Sequence, residues 1–498
     1  MGVLSFANIV LAVLFGARNN LLTLLGGFSH TTSLTVHRWT TRIATIEAIV
    51  HSILFTITYL WAGSYHAYAQ EAARGYYWWG ILATTTLGLC VGAAALPLRL
   101  YGYEAFLIGH IVLVILSLIG CWYHIILRYG KNWGYEVYLY ITFTLWAFDR
   151  LVRLIRLLLY NQQNFLSPGR VMAIPGSEIM RVDVFPSERW MFRPGQHSFL
   201  HFHNINGHLY KFWESHPFSV ALWSSDEHNF EAVSRAVDDE TEESICAASG
   251  GPKSSDASAK GVEMGSLETT ASAQGEAFEG RRSVTFFIKT SHPRWGSMSG
   301  LTSRPRAEAS DHKSFPITVS TEGPYTHGID SSHAAATTLL IGGGVGITAL
   351  LGHVKYHFAR QPYGYQTEHQ RTSRRTHQNE ENTLNPRMVL AWSSNDSGFL
   401  NYIQSLPFLN RARQSGLNFH CVCTKKLHTD AAANMSTIDK RIQLEALITA
   451  EAESCGRLRK LTVDSCGPAG LADEVRRVVA LQAKQGFWVE LTEEAFGW

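Results

Sequence analysis

A chain of 498 residues leaves room for three or so domains, and its apolar residues crowd into the first third, which excludes one uniform soluble globule. A formal net charge of +2 without a basic stripe gives no footing for a nucleic-acid partner. The seven cysteines are scattered and form no CxxC pair, which excludes a zinc ribbon or thiol redox motif and fits a reduced compartment.

Five apolar runs open the chain: residues 5–17, 36–61, 76–96, 103–127 and 135–155. Each is long enough to span a bilayer, the first only marginally. No charged pre-region or small-residue cleavage site precedes the first, so it reads as a span and not as a removed signal peptide. The second run carries His37 and His51, and the fourth carries His110 and His124; each pair is fourteen positions apart. At about 100° per residue, fourteen steps fall roughly 40° short of four turns, so both imidazoles of a pair share one helix face, ~21 Å apart along the axis. A lone histidine on an apolar helix is more often a hydrogen-bonded core residue than a ligand. Two matched pairs on separate spans reverse that balance, because ionisable groups are costly in lipid and mark function there. Side by side, these helices are expected to hold two stacked hemes, His37 with His110 and His51 with His124, each iron taking one imidazole from each helix. Glu47, one turn from His51, either pairs with Arg42 or hydrogen-bonds near a heme.

Arginine and lysine placement orients the spans. Arg18, Arg38, Arg42, Arg99, Arg150, Arg153 and Arg156 fall at one set of ends, against Arg74, Arg128 and Lys131 at the other. The first set is therefore expected in the cytosol, together with everything after residue 160. His37 and His110 then lie toward the cytosol, and His51 and His124 toward the outer face.

Residues 161–175 read as a Pro/Gly exit from the last span. Alternating runs at 179–185, 197–203 and 284–289 read as strands of an antiparallel barrel. Between them, residues 224–282 are rich in Ser, Ala, Glu and Gly and poor in large apolar groups, so a disordered insertion is expected there; 361–386 reads as a second. After Ser331 the texture becomes β then α. Residues 335–358 give a buried strand, a glycine turn and a helix, and RMVLAWSS, NFHCVCTK and KLTVDSCG look like further parallel strands. The expected domains are 1–160, 161–330 and 331–498, the last a nucleotide-binding α/β domain. Its GGGVGIT loop (Gly342, Gly343, Gly344, Val345, Gly346, Ile347 and Thr348) sits where a phosphate cradle belongs, after a strand and before a helix N-terminus. Cys466, Gly467 and Pro468 follow another strand. Alone they are a buried cysteine before an ordinary turn; beside the glycine loop they look like a nicotinamide-side contact, with Cys466 next to the hydride-transfer point.

Six motifs now stand in order: HRW with its second histidine, the GH/YH pair at 110 and 124, HPFS at 216–219, GGGVGIT, CGP, and the terminal EEAFGW. In this order the chain resembles the fungal ferric reductases, within the wider superfamily that includes NADPH oxidases. The resemblance implies a polytopic α-helical membrane domain binding two b-type hemes, followed by a ferredoxin–NADP reductase-like module of antiparallel β-barrel FAD domain and α/β NADPH domain. It assigns His216, Pro217, Phe218 and Ser219 to FAD, with MFRPGQH (191–197) on the adjoining strand, and places Gly300, Leu301 and Thr302 at the FAD pyrophosphate. Trp498 is expected over the flavin ring, or else packed on the NADPH domain. The implied activity passes electrons from cytosolic NADPH through FAD and the hemes to ferric chelates or siderophores outside a plasma membrane; the rival is an oxidase reducing dioxygen to superoxide. The chain departs from the family at three points. It starts close to its first span, where an amino-terminal part is expected in relatives; Ala349 replaces a frequent proline; and Ser393-Ser394 stand where an arginine would help select the 2′-phosphate, leaving Lys425 as a candidate.

Overall fold

Long apolar runs close their backbone hydrogen bonds within themselves, so the first third is helical. The helices are α1 (Gly2–Gly16), α2 (His30–Ala72), α3 (Gly75–Ala93), α4 (Leu96–Tyr101), α5 (Tyr103–Tyr129) and α6 (Glu136–Tyr160). This computed structural model describes residues 1–20, 22, 30–101, 103–205, 208–209, 215–224, 282–289, 314–326, 335–360, 387–424 and 441–494. With 43 residues, α2 is far longer than the 26-residue run read from the sequence. At about 1.5 Å per residue it is ~65 Å long, twice the hydrocarbon thickness of a bilayer. Among the described residues, two helical stretches combine the length and apolarity of a span, Thr31–Trp61 and Ala105–Tyr129. These are the two that carry the histidine pairs. The 15-residue α1 is apolar but short. Threonines and glycines dilute α3, and Asp149, Arg150, Arg153 and Arg156 dilute α6.

The helices associate as two antiparallel pairs, α1 with α2 and α3 with α5, while α3 also touches α2 and α6 lies against α1 and α5. Small residues set the closest approach: a Cβ on Gly120 of α5 would stand 2.9 Å from the Ala83 backbone nitrogen of α3.

A barrel-like antiparallel sheet follows: β1 (Ser167–Ala173), β2 (Ile179–Val184), β3 (Gln196–Ile205), β4 (His208–Leu209), β5 (His216–Ser219), β6 (Leu222–Ser224), β7 (Ser283–Lys289) and β8 (Phe315–Thr326). Its order is β4-β3-β8-β1-β2-β7-β6, with β5 added to β3. Val182, Val184, Trp190, Leu200, Phe202, Phe286 and Val319 fill its core. The alternation at 179–185, 197–203 and 284–289 thus becomes β2, β3 and β7. Residues 167–173, read as part of an exit loop, are strand β1, paired on both sides with β2 and β8. Ser-Pro-Gly masks the pattern there, and β8 is masked likewise by Pro316, Gly323 and Pro324; long-range pairing makes both into strands.

The last third is a five-stranded parallel sheet of β9 (Thr337–Gly343), β10 (Arg387–Ser394), β11 (Asn418–Cys423), β12 (Leu461–Cys466) and β13 (Val489–Glu493), in the order β11-β10-β9-β12-β13. Its helices are α7 (Ile347–Arg360), α8 (Ser397–Ser405), α9 (Pro407–Gln414), α10 (Leu444–Cys455) and α11 (Ala469–Lys484). The order reverses between β9 and β12, and in such sheets ligands bind outside the carboxyl ends at that reversal. The two sheets share one core: Ile174, Ile179, Leu222 and Phe287 pack with Leu350, Phe399 and Leu400. Asp396 ties the seam further. It caps α8 through the Phe399 N–H and accepts from Ser177 Oγ (2.7 Å) and the Glu178 N–H (3.0 Å).

Candidate functional site

Within the helical bundle the four histidines meet in pairs. The His37 and His110 ring centroids are 6.3 Å apart with planes at 72°, and those of His51 and His124 are 6.3 Å apart with planes at 89°. Two imidazole nitrogens each about 2 Å from a shared metal, with ring centres about 1.1 Å behind them, would give a centroid separation near ~6.2 Å. The residues therefore fit a bis-histidine iron at both levels.

The outer edges of the rings are tied down. His37 Nδ1 donates to the Ala12 carbonyl (2.8 Å) and His124 Nδ1 to the Tyr76 carbonyl (2.9 Å), while His110 Nδ1 lies 3.0 Å from Cys90 Sγ. Such outer partners fix the tautomer and leave Nε2 for a metal. Glycines make room beside three rings: a Cβ on Gly16 would be 3.1 Å from His37 Nδ1, on Gly2 3.1 Å from His51 Nδ1, and on Gly80 2.6 Å from His124 Nδ1. Sequence reasoning missed this buttress, although its signal was present. Gly2 and Gly16 are fourteen apart, as are Tyr76 and Cys90, the same interval as the histidines they face. Glu47, one turn from His51, accepts from Asn8 Nδ2 of α1 (2.8 Å), while Arg42 lies over the Trp39 ring.

A buried charge network joins the bundle to the sheet at the His37 level, two residues beyond Gly16. Arg18 Nη1 is 2.9 Å from Glu322 of β8, Arg153 binds Asp149 (2.7 Å), and Arg153 Nε is 3.8 Å from Glu322. Arg156 Nη1 donates to the Pro324 carbonyl (2.7 Å), Arg18 Nη2 to Ser215 Oγ (3.1 Å), and Tyr325 O–H to Glu322 (2.6 Å). Burial alone would raise the Glu322 carboxyl, but His201, Arg18, Arg153 and Tyr325 around it more than reverse this and hold it well below the usual carboxylate range. Arg18 also lies over the Phe199 ring, 3.4 Å from its centroid. These arginines belong to the set that the charge count assigned to one membrane face.

Next to Ser215, the HPFS motif is strand β5, paired with β3. Pro217 and Ser219 are buried, while His216 and Phe218, with ring centroids 6.5 Å apart, are half-buried on the other face. That face of imidazole and phenyl suits a flat ring system. Of MFRPGQH, placed on the adjoining strand by the sequence reading, only Gln196 and His197 lie in β3; Met191 to Gly195 form the loop before it, which turns at Gly195 (φ +67°).

At the reversal of the parallel sheet the two predicted loops touch. A Cβ on Gly346 would stand 2.3 Å from the Cys466 carbonyl oxygen, and one on Gly467 3.1 Å from Gly343 Cα. Trp392 Nε1 donates to the Gly344 carbonyl (2.9 Å) and pins the loop from β10. Gly344 has φ +57° with open space beyond it, and Ile347 and Thr348 begin α7, so a helix N-terminus and an uncovered backbone face the crevice. Val345 packs on the core behind, and Pro468 precedes α11. Cys466 is buried, its thiol pushed up by that burial and by Glu494. Glu494 is itself raised well above the carboxylate range by burial and then by Asp464, and its Oε1 lies 3.1 Å from where a Gly195 Cβ would be. Glu494 thus bridges Cys466 to the barrel, a role sequence reasoning did not give it. Ser394 is spent locally, its Oγ accepting from the Asp396 N–H. Gly300, Leu301, Thr302, Lys425, Trp498, the insertion at 225–281 and residues 361–386 lie outside the described residues.

A histidine-paired helical bundle with two helices long and apolar enough to cross a membrane is thus joined by buried arginines to an antiparallel barrel and a parallel nucleotide-type sheet. Residues 1–121 match the family described as ferric reductase like transmembrane component, and residues 167–328 match the FAD-binding domain family. The two matches are to the membrane component and to the flavin module of ferric reductase-type chains, each over less than half of this chain. It is 34% identical over 220 residues to ferric reductase transmembrane component 4 of Saccharomyces cerevisiae, covering 44% of this chain and 28% of that protein. Against ferric/cupric reductase transmembrane component 1 of Candida albicans the identity is 31% over 226 residues, 45% of this chain and 28% of that one. The match thus spans under a third of the length of these relatives. Among solved structures it is similar to a ferredoxin NADP+ reductase from Neisseria gonorrhoeae with bound FAD and NADP, at 13% identity over 66% of this chain and 98% of that one, with a TM-score of 0.35.

Proposed function

We propose that the chain is a transmembrane NADPH-dependent ferric-chelate reductase with three domains, 1–160 for two b-type hemes, 161–330 for FAD and 331–498 for NADPH. The observation that carries this reading is the equal 6.3 Å separation of two histidine pairs at two levels of one bundle, the nearer level abutting the barrel through Arg18 and Glu322. When bound, FAD exchanges a two-electron hydride for single electrons, and the hemes carry these across the bilayer.

The chain's own residues do the positioning. His37 and His110 hold the level beside the reductase module, and His51 and His124 the level beyond it. His216, Pro217, Phe218 and Ser219 present the flavin-holding face, with Gly300, Thr302 and Trp498 assigned to the same cofactor by family resemblance. Gly342 to Thr348 offer backbone N–H groups to the nucleotide phosphates, and Cys466, Gly467 and Pro468 place the nicotinamide against the barrel. Burial raises the Glu494 carboxyl well above its ordinary value at that junction. The module lies in the cytosol and the ferric chelate at the outer face of a plasma membrane in this reading, which the arginine asymmetry supports.

The test is reduction of an impermeant ferric chelate, with superoxide measured alongside, in sealed membranes supplied with NADPH on the module's side. Ferric reduction at the opposite face supports the proposal. Superoxide without ferric reduction would make the protein an oxidase, and no electron crossing with both cofactors bound would overturn the reading. His51→Ala should remove one of two low-spin heme signals and abolish crossing.

A further inference from the structure

The three rings with a partner at Nδ1 are not held alike. His37 and His124 donate to main-chain carbonyls of α1 and α3, but His110 Nδ1 faces a thiol, with Cys90 Sγ at 3.0 Å. Registers sharpen the contrast. On α3, Tyr76 faces His124 and Cys90 faces His110; both intervals are fourteen residues, so Cys90 occupies on one level the place that Tyr76 holds on the other. The Cys90 carbonyl is engaged at the helix end, accepting from the Ala94 N–H (3.2 Å), and it is the side chain that meets the ring. Cys90 is 2% exposed, so no water competes for the contact.

We propose that Cys90 is a positioning residue that tunes the His37/His110 heme to a more positive potential than a carbonyl partner would give; this rests on the heme reading above. Thiol sulfur is a weak acceptor, so it draws less on the imidazole N–H than a carbonyl oxygen does. A ligand whose N–H is drawn less is a poorer electron donor to a ferric iron, and outer partners of this kind are a recognised lever on potential. The level so tuned is the one beside Arg18 and the flavin module, where electrons enter. A more oxidising first centre favours that entry, while the Tyr76 carbonyl on the second level keeps the exit centre more reducing.

The experiment is a potentiometric titration of the heme absorbance of the full-length holoprotein, with electron paramagnetic resonance of its low-spin signals, in wild type, Cys90→Ser, Cys90→Ala and Cys121→Ala. Wild type should titrate as two components. Cys90→Ser, which supplies a stronger oxygen acceptor, should move one component to more negative potential, and Cys90→Ala, with no acceptor, should move the same component to more positive potential. Cys121, buried in the same bundle on α5, is the packing control and should leave both in place. Two components that stay put in both Cys90 variants, that move together, or that move equally in Cys121→Ala would overturn the role of Cys90 and leave the heme reading intact. A wild-type protein without two low-spin centres would overturn both.

Discussion

Glu494 illustrates how one residue reports on the junction between two domains. Its carboxyl is buried beside Asp464 and Cys466 and is raised well above its ordinary value, so the folded chain binds its proton more tightly than the unfolded chain does. The sign follows: stability from this group is greatest below the unfolded value of about 4.3 and declines as pH rises toward the folded value. Glu494→Gln removes that decline, so the variant should melt above wild type by a margin that grows between about pH 5 and pH 8, as read by thermal unfolding of the detergent-solubilised protein. Equal margins at both ends would show that Glu494 is ionised in the fold. The neighbouring Cys466→Ala should slow flavin reduction by NADPH about tenfold or more while leaving flavin content unchanged, because it loosens placement and not binding. Stopped-flow bleaching of the flavin measures this directly.

At the level of elements, β8 is the joint between the helical bundle and the two sheets. Glu322 compensates Arg18 and Arg153 from a site that water hardly reaches. Removing one partner of such a buried pair leaves an uncompensated charge, at a cost on the order of 3 kcal/mol. Glu322→Gln should therefore leave NADPH-dependent flavin reduction near wild type and slow heme reduction sharply; the two absorbances separate the steps in one trace. The held-down carboxyl gives the opposite pH sign to Glu494: its contribution is complete above about 4.3 and is lost as pH falls below that. Helix α3 is the other element with a defined task. Gly80→Val should drive its side chain into the His124 ring, where even a Cβ would lie 2.6 Å from Nδ1, and should cost one heme signal of two in the low-temperature spectrum.

On the scale of the whole molecule, the shared core of Ile174, Ile179, Leu222 and Phe287 with Leu350, Phe399 and Leu400 makes barrel and parallel sheet one body. A chain starting at residue 161 should accordingly bind FAD and reduce ferricyanide with NADPH while carrying no heme. Failure to hold flavin would mean that Arg18, Arg153 and Arg156 from the helices complete the FAD site.

Patterns of fixed period were legible in the sequence alone: the fourteen-residue histidine spacing, the alternation of β2, β3 and β7, and the strand, glycine loop and helix at 337–360. Each follows from local geometry, since a helix or strand repeats its faces whatever surrounds it. Meetings between distant segments were not legible. The match of Gly2, Gly16, Tyr76 and Cys90 to the histidines, the strand character of 167–173 and of β8, and the pairing of Arg18 with Glu322, 304 positions away, exist only once the chain has folded. Nothing local favours these partners. Burial does, because a charge or ring nitrogen taken out of water must find an opposite charge or hydrogen-bonding group, and which one it finds is set by the packing of helices and sheets.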